Sequence, residues 1–91
     1  MLATAETFGD MTTRVMEVAG DVCAGKLVMV HEGGYAENYV QFCGHAVLQT
    51  MSGSQIGAPD PFAVPFTARQ PDTNFDAYVD GILDKMVAAI A

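Results

Sequence analysis

The expected architecture depends on ten consecutive residues, Lys26-Leu27-Val28-Met29-Val30-His31-Glu32-Gly33-Gly34-Tyr35. Their first half is an apolar run without alternation, which is typical of a strand buried on both faces of a parallel sheet. The glycine pair lets the backbone turn sharply. Tyr35 then follows at the carboxyl end of the strand, where open α/β sheets usually bind ligands. The stretch therefore predicts a strand at 27–31 and a candidate site in the loop 32–37.

Three helices are predicted around this strand. The first lies within 1–24, where Thr4 is a plausible N-cap and apolar residues recur at three- and four-residue steps. The second covers 38–52. The third covers 74–91, behind a cap at Asp72 or Asn74, and carries the clearest amphipathic stripe. The segment 53–73 contains all four prolines and is predicted to be a loop. The order helix–strand–helix–loop–helix predicts an α/β piece.

The single predicted strand has no second strand in the sequence to pair with. Buried backbone groups without hydrogen-bond partners each cost about 1–3 kcal/mol. Two arrangements would supply partners, and both stay open here. The strand could pair with another copy of the chain, or the chain could be a piece of a larger α/β protein.

Composition excludes several classes of function. The net charge is −7 and the four basic residues are scattered, which argues against binding nucleic acid or an anionic membrane surface. No apolar run approaches the ~18 residues of a membrane span. Cys23 and Cys43 lack the spacing of a disulfide framework, so we expect reduced thiols and a cytoplasmic protein.

The residues themselves offer little self-contained chemistry. Cysteines and histidines lack the paired spacing of a zinc site, so no metal ligand is predicted within the chain. The loop after the strand has neither the third glycine nor the Gly-Lys-Ser/Thr of phosphate-binding motifs. No serine or cysteine stands at the elbow of a nucleophile motif. Tyr35 remains, either as a neutral hydrogen-bond donor to a developing oxyanion or as an aromatic plug packed on the second helix.

Two runs together resemble a known family. The stretch from Lys26 to Tyr35, followed by Tyr39-Val40-Gln41-Phe42-Cys43-Gly44, resembles the last strand, catalytic-tyrosine loop and following helix of the histone deacetylase superfamily. The similarity is strongest to its bacterial class II-like branch, with its acetylpolyamine and histone deacetylase-like amidohydrolases. Residues 1–8 and Met11-Thr12 resemble the preceding loop and helix. The resemblance runs over roughly residues 1–62.

The resemblance implies the C-terminal segment of a mostly parallel-sheet, arginase-like deacetylase fold. It implies zinc-dependent hydrolysis of acetyl-amide bonds, of the acetyl-lysine or acetylpolyamine type. Tyr35 matches the catalytic tyrosine that donates to the substrate carbonyl, and Gly33 and Gly34 match its substrate-binding loop. Leu2 and Ala3 fall near the pocket rim, a weaker match. The family's zinc ligands and histidine pair lie upstream of the matching stretch.

Two hypotheses follow for function. In the first, the chain is part of a zinc-dependent deacetylase that acts on an acetylated amine, and alone it binds no zinc and is inactive. In the second, it is a small α/β interaction module without catalysis. Such a module would self-associate through the unpaired strand and the apolar helix faces.

Overall fold

The computed structural model describes residues 3–91, and these residues form four helices. Helix α1 spans Ala5–Cys23, α2 spans Val40–Ser52, α3 spans Ala63–Thr67 and α4 spans Thr73–Ile90. Helices α1 and α2 lie inside the ranges that the sequence predicts, and α4 begins one residue before its predicted range. Leu2, one of the two predicted rim residues, lies outside the described residues.

Local capping explains where the long helices begin and end. Thr4 caps α1, because its side chain accepts from the Thr7 amide at 3.3 Å while the Thr7 hydroxyl accepts from the Thr4 amide. The helix ends as Ala24 turns to a left-handed φ of 54°, and the Gly25 amide donates to the Ala19 carbonyl at 2.9 Å. Asp72 caps α4 by accepting from the Phe75 amide at 3.0 Å.

Helices α1 and α2 pack against each other and enclose most of the small core. Thr12 is 3% exposed and satisfies its hydroxyl by donating to the Phe8 carbonyl at 2.7 Å. A Cβ on Gly9 would lie 3.5 Å from the Thr50 hydroxyl, so the missing side chain brings the two helices close together. No other helix pair within residues 3–91 makes a comparably extended contact.

The predicted strand at 27–31 is wrong, and with it the α/β class. Between residues 3 and 91 the structure has helices and irregular segments but no strand, and residues 26–36 are irregular. Val28 and Val30 are 84% and 85% exposed. The physical reason is that a strand exists only through hydrogen bonds to a neighbouring strand, and the sequence supplies none.

The long loop predicted at 53–73 contains a short helix. Phe62 and Phe66 are four residues apart, so the α3 conformation brings both rings onto one side. Pro65 is compatible with this helix because it stands in the first turn, where its missing amide would have no helical partner. The prolines, which argued for irregular structure, therefore permit one helical turn.

Much apolar surface remains uncovered, most of all on α4. Its stripe is exposed at Leu83, Met86, Val87 and Ile90, by 50% to 87%. The radius of gyration is 15.6 Å, against about 12 Å for a compact domain of this length. None of the helices described here has both the length and the apolarity that a membrane span requires.

Candidate functional site

Tyr35 stands at the tip of an irregular loop between α1 and α2. Gly33 and Gly34 precede it with φ of 78° and 88°, in the left-handed region that side chains disfavour. A Cβ on Gly34 would lie 2.6 Å from Val40 Cγ2 and 2.9 Å from His31 Nε2, so this position needs glycine for space as well as for φ. The two glycines thus turn the chain close against α2 and direct it outward at Tyr35.

The Tyr35 side chain is available to a ligand. It is 94% exposed, and its hydroxyl makes no hydrogen bond to any residue between 3 and 91. The ring does not pack on α2, so the alternative of an aromatic plug is wrong for this chain. A neutral hydroxyl in this position can donate to a substrate oxygen without first breaking an internal bond.

A recess of about 390 Å³ opens beside Tyr35. Tyr35 forms one edge, residues 36–38 continue the wall, and the aromatic rings of Tyr39, Phe62 and Phe66 lie at the other side. The recess places the candidate donor at the margin of an apolar surface that a substrate chain could contact. Ala3, the other predicted rim residue, is exposed and does not line this recess.

Tyr39 is the buried centre of the same region. It is 8% exposed, and its hydroxyl accepts from the Ala5 amide at 2.7 Å and donates to Asp60 Oδ2 at 2.5 Å. The other carboxylate oxygen of Asp60 accepts from the Phe62 amide at 2.8 Å. One phenol therefore joins the start of α1, the start of α2 and the loop that leads into α3.

Aromatic contacts complete this attachment. The Tyr39 ring meets Phe66 at a centroid distance of 4.8 Å and Phe62 at 5.3 Å, both close to perpendicular. Edge-to-face pairs of this kind contribute about 0.5–1.5 kcal/mol each beyond their buried area. The sequence placed Tyr39 within the predicted second helix, 38–52, and gave no sign of its hydrogen bonds. The spacing of Phe62 and Phe66 was the available signal for α3.

Burial and hydrogen bonding shift the pKa values of the two partners in opposite directions. Burial first, and then the hydrogen bond to Asp60, raise the pKa of Tyr39 to about 12. Burial tends to raise the pKa of Asp60 as well. Hydrogen bonds from Tyr39 and from backbone amides outweigh it, so that the Asp60 pKa is lowered overall. The pair is thus a neutral phenol donating to a carboxylate across the neutral pH range.

The residues described here do not form a metal site. No group of three or more histidine, cysteine, aspartate or glutamate side chains between residues 3 and 91 is placed to hold a metal ion. Cys23 and Cys43 are free thiols, the first exposed and the second half-buried. Burial raises the pKa of Cys43, which favours its protonated form over the thiolate that binds metals. Zinc therefore does not fit this set of residues.

Comparison with known proteins bears on this loop and on the helices around it. No protein-family model matches the chain. A curated histone deacetylase-like amidohydrolase of Pseudomonas aeruginosa is 37% identical over 84 residues, which is 92% of the present chain. The chain resembles part of a histone deacetylase-like amidohydrolase. The match spans 22% of that relative's length, in its C-terminal part.

The similarity confirms the resemblance that the sequence suggested around residues 26–44. The aligned residues, of which 37% are identical, extend over nearly the whole length of the chain. The chain nevertheless spans only about a fifth of the relative it matches. The site that the structure shows consists of one loop that carries the exposed Tyr35 and a recess beside that loop. The loop is followed by the buried, hydrogen-bonded Tyr39 at the start of α2.

Proposed function

We propose that this chain is the C-terminal part of a zinc-dependent deacetylase that hydrolyses acetyl-amide bonds of acetyl-lysine or acetylpolyamine type. In this proposal Tyr35 supplies a hydrogen bond to the substrate carbonyl oxygen. The observation that carries the assignment is the unpartnered, 94% exposed Tyr35 side chain directly after two left-handed glycines. The similarity to a histone deacetylase-like amidohydrolase over 92% of the chain supports the reaction class.

For amide hydrolysis, Tyr35 needs only a hydroxyl proton to donate and a position close to the substrate carbonyl oxygen. When the carbonyl carbon of an amide is attacked, negative charge develops on its oxygen, and a donor placed there stabilises the transition state more than the ground state. Gly33 and Gly34 let the loop bring the hydroxyl close to such an oxygen. The aromatic recess next to Tyr35 offers apolar contact to the substrate chain.

The zinc ligands of this proposal belong to residues outside the chain. The described residues offer no ligand set, so the metal would be held elsewhere and supply Lewis-acid activation of the amide. We expect the isolated chain to be inactive and to bind no stoichiometric zinc. A hydrolysis rate in the range of whole enzymes from the isolated chain would refute this assignment.

The test is an exchange of segments with the Pseudomonas relative. Its aligned part is replaced by this chain, and amide hydrolysis is measured on an acetyl-lysine reporter beside the relative truncated before the segment. We expect the chimera to hydrolyse the reporter and the truncated protein to be inactive. Tyr35→Phe should abolish most of the activity, and Tyr78→Phe serves as the matched control, because Tyr78 is an exposed tyrosine on α4. A well-folded, zinc-loaded chimera without hydrolysis would reject the proposal.

A second candidate function is self-association through the apolar helix faces. It is favoured by the accessible surface of 7200 Å², against about 5,100 Å² for a compact monomer of 9.6 kDa. The excess of about 2,100 Å² exceeds the ~800 Å² that each partner buries in a standard interface. One apolar groove of about 590 Å³ lies between α1, α2 and residues 29–34.

Sedimentation of the purified chain separates the two candidates. A tight dimer with native helicity would favour the self-associating module. A monomer that binds a hydrophobic dye, or an aggregate, would favour a segment whose apolar faces are covered by other parts of a larger protein.

A further inference from the structure

Two backbone anchors hold the Tyr35 loop, and both lie at the start of α2. On one side, Gly34 packs so closely that an added Cβ would overlap Val40. On the other side, the Ala36 carbonyl accepts from the Tyr39 amide at 2.8 Å and from the Val40 amide at 2.9 Å. Tyr35 lies between these anchors, so its position follows the position of Tyr39 and Val40.

The Tyr39 hydroxyl fixes that position relative to the rest of the chain. It binds the Ala5 amide, 34 residues away, and the Asp60 carboxylate, 21 residues away. Phenylalanine would make the same ring contacts with Phe62 and Phe66 but would leave both polar partners without this hydroxyl. Burial of the ring alone therefore does not explain why this position has a hydroxyl with two hydrogen bonds.

We propose that the Tyr39 hydroxyl, the Asp60 carboxylate and the Ala5 amide form a clamp that positions the Tyr35 loop. The Tyr39 hydroxyl is taken up by the Ala5 amide and the Asp60 carboxylate, and Asp60 does not line the recess beside Tyr35, so both groups act as positioning residues. This inference rests on the proposed role of Tyr35, because a clamp matters for hydrolysis only if Tyr35 is the donor. It adds Tyr39 and Asp60 as residues that act on Tyr35 through the start of α2. It predicts that their effect on the hydrolysis rate disappears when the Tyr35 hydroxyl is removed.

The first test uses the full 91-residue chain and nuclear magnetic resonance. In Tyr39→Phe, backbone order parameters at Gly34, Tyr35 and Ala36 should fall towards about 0.6, and exchange of the Val40 amide should quicken about tenfold. Backbone order parameters in the middle of α1 should stay unchanged. Tyr78→Phe is the control and should leave the loop unchanged.

Two outcomes of this test overturn the clamp. If the loop is as ordered in Tyr39→Phe as in the unmodified chain, the hydroxyl does not position it. If Tyr39→Phe removes helicity throughout, the milder Asp60→Asn is measured, which keeps one oxygen as acceptor but removes the charge. Asp60→Asn should loosen the loop with α1 and α2 intact, and a global loss of structure in both variants would make the pair general core residues.

The second test is a double-mutant cycle in the chimera with the Pseudomonas relative. Tyr39→Phe should lower kcat about tenfold when Tyr35 is present and less than about twofold in the Tyr35→Phe background. Equal losses in both backgrounds would overturn the inference, since a purely structural role would not depend on Tyr35. If Tyr35→Phe itself leaves kcat unchanged, the proposed function fails. The loop measurements on the 91-residue chain then decide the clamp independently.

Discussion

Tyr35 and Tyr39 are the same residue type four positions apart, and the structure treats them in opposite ways. Tyr35 is 94% exposed and its hydroxyl binds nothing within residues 3–91, while Tyr39 is 8% exposed and has two hydrogen-bond partners. The left-handed glycines before Tyr35 account for its exposure. The aromatic rings of Phe62 and Phe66, which pack on Tyr39, account for the burial of Tyr39. The contrast shows that the surroundings, rather than the side chain, separate a donor available to a ligand from a structural tie.

The largest effect on stability should come from removing the Tyr39 hydroxyl, and removing the Tyr35 hydroxyl is the matched comparison. Tyr39→Phe should lower the free energy of unfolding by about 1–3 kcal/mol, because the buried Ala5 amide and the Asp60 carboxylate lose their shared partner. Tyr35→Phe should change it by less than about 0.5 kcal/mol, as for most exposed substitutions. Urea denaturation followed by circular dichroism measures both. Equal losses at the two positions would remove the distinction between them.

The pH dependence of stability should report the Tyr39 hydroxyl. Its pKa is raised to about 12 in the folded chain, from an ordinary value of about 10. A raised pKa means that the contribution to stability is complete below pH 10 and is lost as pH rises towards 12. The difference in unfolding free energy between the unmodified chain and Tyr39→Phe should therefore shrink between pH 10 and pH 12. A difference that stays constant across that interval would show that the hydroxyl is not buried as described.

The two loop glycines should differ when each is changed to alanine. Gly33→Ala introduces a side chain at positive φ, which costs about 1–2 kcal/mol, but its Cβ would meet nothing closer than 3.7 Å. Gly34→Ala has the same conformational cost and also forces Val40 or His31 to move. Gly34→Ala should therefore lower the unfolding free energy more than Gly33→Ala, and denaturation of the two variants in parallel checks the order. The reverse order would mean that the close approach to Val40 is not maintained.

A smaller effect on stability is expected at Ala24, which tests the cost of a side chain at positive φ away from the candidate site. Ala24 ends α1 with φ of 54° although it is not glycine. Ala24→Gly should raise the free energy of unfolding by about 0.5–1 kcal/mol, because the relief of strain exceeds the added entropy of the unfolded chain. Ala88→Gly, inside α4, should lower it by a similar amount and serves as the control. Thermal melting of both variants measures the two shifts, and a loss of stability in Ala24→Gly would contradict the strain at this cap.

The features that sequence could predict are those that depend on neighbours in the chain. Caps and apolar periodicity act over a few residues, so the three long helices and the Thr4 cap were within reach. The strand at 27–31 failed because strand pairing requires a second segment, which the apolar run by itself does not provide. The short helix α3 was missed because alternation of Phe62, Val64 and Phe66 fits an extended segment as well as a single helical turn.

In the candidate site too, the features that depend on neighbouring residues were predictable and the contact between distant residues was not. Tyr35 and the two glycines before it form a local motif, and the resemblance of this motif to a catalytic loop could be recognised from the sequence alone. The Tyr39–Asp60 bond joins residues 21 positions apart, and no periodicity indicates it. Asp60 stands between Pro59 and Pro61 in the sequence, and only the folded chain shows that Tyr39 reaches it.

The most direct measurement is the turnover of the chimera with and without the Tyr35 hydroxyl. If Tyr35 donates to the developing oxyanion, Tyr35→Phe should lower kcat by about 10² to 10³, as removal of one such donor does in other enzymes. Zinc content and melting temperature should stay the same, and Tyr78→Phe should retain full activity. An unchanged kcat in a folded, zinc-loaded Tyr35→Phe chimera would contradict the role assigned to this loop.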